Sequence, residues 1–165
     1  MSVASEPIVV NTGPLIALTA CQSLDLLRSF HDPVLVPETV VGELREGARK
    51  LASAALLFDL PPWITVCSLA TEPSLLLREY LDPGESAVIT LALERSVRRA
   101  LIDERRGRRV AATFGLQVTG SVAILVRAKL AGLIDAIGPR IVAMQEHGYW
   151  LSTRLRANAL RDAGE

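Results

Sequence analysis

Cysteine and histidine are nearly missing from this 165-residue chain: two of each, with no Cys-x-x-Cys pair and no metal-ligand spacing at His31 and His147. Cys21 and Cys67 lie far apart and read as small core residues of a cytoplasmic protein rather than a disulfide framework. Any metal must therefore be held by oxygen. Aromatic residues make up 4% of the chain and none is interleaved with its basic cluster, so the sequence offers no base-stacking code. Long apolar runs are missing too. The most apolar stretch, Val122 to Ile134, carries Arg127 and Lys129 and is too short to span a bilayer. Met1 to Glu6 hold no basic region followed by an apolar one, so no secretory signal is expected. Nor is there an excess of charge. Eighteen basic residues meet 18 acidic ones, which excludes a histone-like binder and an acidic solvating chain.

What is present describes one folded domain. Half of the residues are apolar and 22% are charged, and a chain of this length buries roughly 70% of its unfolded surface. Short apolar runs at Ile8–Val10, Val34–Val36, Ala100–Ile102 and Leu116–Val118 predict buried strands, with Ile64–Val66 as a short edge strand. Helical patterns fall between them. Pro14 opens a helix to Ala20, Ser23 caps a second, and Pro37 opens a third to about Ala48. Further helices are expected over Leu51–Leu60, Leu75–Leu81, Glu85–Arg95, Val110–Phe114, Ser121–Leu130, Ile134–His147 and Leu151–Ala163. Strands alternating with amphipathic helices predict an α/β domain of three layers, a mainly parallel sheet flanked by helices.

In such sheets ligands bind beyond the carboxyl ends of the strands. Asn11 follows the first strand and Asp103 the third of the buried ones. Glu43, on the helix after Pro37, and Glu85, after Gly84, are the other candidates. Carboxylates gathered in a pocket repel unless a cation joins them, and oxygen-only ligation suits Mg²⁺ or Mn²⁺. Each residue also has a plainer reading: Glu85 as partner of a helix dipole, Glu43 as a solvated helix residue, Asp103 as a loop cap, Asn11 as turn chemistry. Arginine supplies 16 of the 18 basic residues, and seven lie between Arg95 and Arg109. Arg105, Arg106, Arg108 and Arg109 either follow a nucleic-acid backbone or form a solvated, salt-bridged helix face.

Val9-Val10-Asn11-Thr12-Gly13-Pro14-Leu15-Ile16 resembles the opening motif of the PIN-domain nucleases. The resemblance continues through Val36-Pro37 with Val40 to Leu44, Pro83-Gly84-Glu85 with Ala87 to Ala92, and Leu101-Ile102-Asp103-Glu104. It ends in Val118-Thr119-Gly120-Ser121 and Gly132-Leu133-Ile134, and so covers about Ile8 to Leu155. The nearest subgroup is the VapC-like proteins. The resemblance implies an Mg²⁺- or Mn²⁺-dependent endoribonuclease, often the toxin partnered by a small antitoxin and often a homodimer. By position, Asn11, Glu43, Glu85 and Asp103 form its acidic site. The resemblance implies that Asn11, Glu85 and Asp103 hold the metal, that Thr12 supports the first-strand ligand and that Ser121 lines the pocket at a helix N-terminus, with Glu104 as a second choice. Two positions depart from the pattern: most PIN nucleases have Asp where this chain has Asn11, and many have an acid in place of Ser121. Asn11 brings an oxygen but no charge, so weaker metal binding is expected, and a catalytically weak module that binds RNA or a protein is the competing reading.

Overall fold

The computed structural model describes residues 5–50 and 59–165. Its strands are β1 (Ile8–Val10), β2 (Val34–Pro37), β3 (Ile64–Cys67), β4 (Arg99–Leu101) and β5 (Gln117–Thr119). All neighbours pair in parallel, in the order β3-β2-β1-β4-β5, with Val9 opposite both Leu35 and Ala100. The β-branched and leucine runs expected to form strands do so because β1, β2 and β4 lie inside the sheet, where apolar side chains are covered on both faces. Ile64–Val66 is part of an edge strand, as expected.

The helices are α1 (Thr12–Ala20), α2 (Leu26–Phe30), α3 (Glu38–Lys50), α4 (Leu75–Tyr80), α5 (Pro83–Glu94), α6 (Arg105–Thr113), α7 (Ser121–Leu130), α8 (Gly138–Glu146) and α9 (Thr153–Asp162). Buried from Gly84 to Ala92, α5 packs on β1, β2 and β4 and against α3 and α4. α7 packs on α1, α2 and α9. The result is the three-layer α/β domain that the alternation of strands and helices predicts.

Several boundaries move. Ser23 does not cap the second helix, which starts at Leu26; it is buried, its Oγ donating to the Cys21 carbonyl at 3.0 Å and accepting from Arg140 Nη1 at 2.7 Å. α6 begins at Arg105 rather than Val110, and α8 at Gly138 rather than Ile134, after a turn in which Gly132 takes φ +72°. β4 ends at Leu101, one residue early, although Ile102 still donates its N–H to the Thr119 carbonyl at 3.0 Å. Of the helix expected at Leu51–Leu60, residues 51–58 lie outside the described residues, and Asp59 and Leu60 are not helical.

The strand order decides where a ligand can enter. From β1 the chain steps outward to β2 and β3, then crosses back to place β4 on the other side of β1 and β5 beyond it. The direction reverses between β1 and β4, and at such a switch point α/β sheets take their ligands, at the carboxyl edge. Asn11 and Asp103 follow those two strands, and the Asn11 N–H donates to the Leu101 carbonyl at 3.0 Å.

Candidate active site

Asn11 sits at the N-cap position of α1 with 6% of its surface exposed. Its side chain does not cap the helix, and Oδ1 is buried with no hydrogen-bond partner among the described residues. Turn chemistry therefore does not account for it. The next residue begins a clamp. Thr12 Oγ1 donates to Glu43 Oε2, and the Gly84 N–H donates to Glu43 Oε1 at 2.9 Å, so one α3 carboxylate ties the β1–α1 turn to the start of α5. Glu43 is thus no solvated helix residue. Gly84 must lack a side chain here, because a Cβ would stand 2.4 Å from Glu43 Oε2.

Glu85 combines both readings that its position allows. Asp82 caps α5 by accepting from the Glu85 N–H at 2.8 Å, and Glu85 Oε2 accepts in return from the Asp82 N–H at 3.4 Å. Its other oxygen, Oε1, is buried without a partner among the described residues, and the residue is 3% exposed. Burial first, then the charges of Asp82, Glu104 and Glu43, push its carboxyl up to about 7. α6 comes close to the same oxygen: a Cβ on Gly107 would lie 2.4 Å from Glu85 Oε1.

Asp103 is arranged differently. Oδ1 accepts from the Ser121 N–H at 2.7 Å and Oδ2 from Ser121 Oγ at 2.6 Å, so the carboxylate binds the first turn of α7. The Tyr149 hydroxyl and the Arg108 charge act on it from nearby and favour its anion. Burial outweighs them and the Ser121 donors and raises the Asp103 pKa. Burial and the Asp103 charge also raise the Tyr149 hydroxyl pKa. Arg108 Nη1 lies where a Gly120 side chain would be, 2.5 Å from the position of its Cβ. Ser121, expected to line the site at a helix N-terminus, thus bonds Asp103 through both its backbone and its hydroxyl. Glu104 is exposed at the start of α6, contributing charge but no cap.

Arg105, Arg106 and Arg109 are exposed on α6 and Arg108 is half-buried. Among the described residues none of the four forms an ion pair, so of the plainer reading the solvated face stands and the salt bridges do not. Arg105, Arg106 and Arg108 crowd the first turn, where the helix dipole is already positive. That arrangement costs helix stability and favours an anion beside the pocket. Sequence reasoning missed Tyr149, Gly107 and the capping role of Asp82. Only the Asp82-x-x-Glu85 spacing carried a readable signal.

A family model described as a PIN domain matches residues 7–165. The chain belongs to the PIN-domain family. No curated protein matches it. PIN domains are a nuclease fold, generally of metal-dependent ribonucleases. Among the described residues no helix is long and apolar enough to cross a membrane. PIN nucleases typically use divalent cations, and the donors here suit one in kind. Asn11 Oδ1 and Glu85 Oε1 are buried, unpartnered and oxygen, and Mg²⁺ takes one or two carboxylates with waters and phosphate completing its shell. Among the described residues no three His, Cys, Asp or Glu side chains gather as a metal-holding group, and both oxygens of Asp103 are engaged by Ser121.

Proposed function

We propose that this PIN domain is an Mg²⁺- or Mn²⁺-dependent endoribonuclease of the VapC-like kind, the cytoplasmic toxin of a toxin–antitoxin pair. The observation that carries the proposal is the pair of buried oxygens without partners, Asn11 Oδ1 and Glu85 Oε1, at the carboxyl edge beside an arginine-rich helix. The toxin role, a small antitoxin partner and a homodimeric state rest on the sequence resemblance alone.

Asn11, Glu85 and Asp103 would hold the cation, which when bound supplies an activated water and neutralises charge developing on the phosphodiester. Glu43, held by Thr12 and Gly84, would help to position that water. Asp103, oriented by Ser121, would present its carboxyl at the end of β4. Arg105, Arg106, Arg108 and Arg109 bind and align the phosphate backbone.

The competing reading, a catalytically weak module that binds RNA or a protein, gains from Asp103 being saturated with donors and from the missing charge at Asn11. Incubation with a mixed RNA pool separates the two. Cleavage is expected with Mg²⁺ or Mn²⁺, abolished by chelator and lost in Glu85→Gln. Undiminished cleavage in excess EDTA sinks the mechanism, and RNA binding without cleavage by the wild type favours the second reading.

A further inference from the structure

Tyr80 ends α4 with 54% of its surface exposed. It adds little to the core. Its one recorded ring contact is the Arg106 guanidinium, 5.8 Å from the ring centroid. α4 is nevertheless well anchored: Ser74 Oγ caps it through the Leu77 N–H, Leu77 is buried, and Ser86 Oγ of α5 donates to the Leu77 carbonyl at 3.1 Å. Leu76, one turn before Tyr80 and on the same helix face, is 56% exposed. An exposed apolar ridge therefore rises from a fixed support.

Its position relative to the pocket follows from two short links. Tyr80 is five residues ahead of Glu85, joined through the Asp82 cap. Arg106 is next to Gly107, whose missing side chain leaves room for Glu85 Oε1. The Tyr80–Arg106 contact thus bridges α4 and α6 beside the buried acid. On one side stand Arg105, Arg106 and Arg109 of α6, without ion-pair partners among the described residues; on the other stand an aromatic ring and a leucine. Phosphate belongs with the first surface, and the flat face of a base belongs with the second.

Building on the ribonuclease reading, we infer that Tyr80 is a nucleobase-stacking residue beside the buried Glu85. It takes one base of a single-stranded RNA whose adjoining phosphate meets Arg106. A duplex keeps its bases stacked on one another, so this contact selects unpaired RNA.

Binding of a labelled short oligouridylate in EDTA, where cleavage is blocked, tests this by fluorescence anisotropy. Tyr80→Ala is expected to weaken binding about tenfold, with Tyr80→Phe and Tyr80→Trp close to wild type. The loss should vanish on the same strand made abasic and on a duplex. Arg106→Ala should lower the salt slope by about one unit, and Tyr80→Ala should leave it unchanged. Equal binding by wild type and Tyr80→Ala overturns the stacking role while leaving the ribonuclease reading intact. An equal loss on the abasic strand overturns it too, making Tyr80 a brace between α4 and α6. No RNA binding by the wild type overturns both.

Discussion

On α5 Glu85 keeps a buried oxygen without a partner among the described residues, while after β4 Asp103 gives both oxygens to Ser121. Both acids leave water on folding, and burial raises both pKa values. The difference lies in the donors around them. Asp103 faces an N–H, two hydroxyls and an arginine, whereas Glu85 faces Asp82, Glu43 and Glu104 as like charges. Burial alone therefore does not distinguish the two acids; the local supply of donors and cations does, leaving an open oxygen on Glu85 and oriented oxygens on Asp103.

The largest expected effect is on the pH dependence contributed by Glu85. Its folded value, about 7, lies above its ordinary value of 4.5. The folded protein thus holds the proton more tightly, and this residue's contribution makes stability fall as pH rises from 4.5 to 7. The loss reaches at most about 3 kcal/mol above pH 7. Urea unfolding at pH 5 and pH 8 should show this fall in wild type and its removal in Glu85→Gln. On the proposed function, excess Mg²⁺ restores stability at pH 8 in the wild type alone. A smaller effect, of the opposite sign at pH 8, is expected for Asp103→Asn. The amide places a donor against the donors of Ser121, costing about 2 kcal/mol in the same experiment. Were Asp103→Asn as stable as wild type, the contrast between the two acids would collapse. Smallest is Ser121→Ala, which keeps the backbone donor and loses the hydroxyl, for about 1 kcal/mol.

The strands were readable because short β-branched runs between helical patterns have few other uses, and the residues after β1 and β4 follow from them. Glu43 and Glu85 were readable as candidates but not as partners of Thr12, Gly84 and Asp82, since burial and hydrogen bonding depend on how the helices meet. The start of α6 was hidden by its own arginines: its first turn has no apolar residue to set a period. Ser23 reads as a cap by residue type, yet Arg140, far along the chain, fixes its role. Tyr149 and Tyr80 had no local signal because contacts with Asp103 and Arg106 appear only in the folded chain.

The strand order also bears on synthesis. A growing chain exposes Asn11 early, but the strand beside it at the switch point, β4, emerges only after β2 and β3. The groups that act on Asp103 from beyond it come later still, first Ser121 and then Tyr149. A ribosome that has made two thirds of this protein has therefore made every acid of the pocket but not the residues that set Asp103 in place. On the proposed function, a ribonuclease built in this order stays unassembled while most of it is being translated, beside the ribosomal and messenger RNA that it must spare.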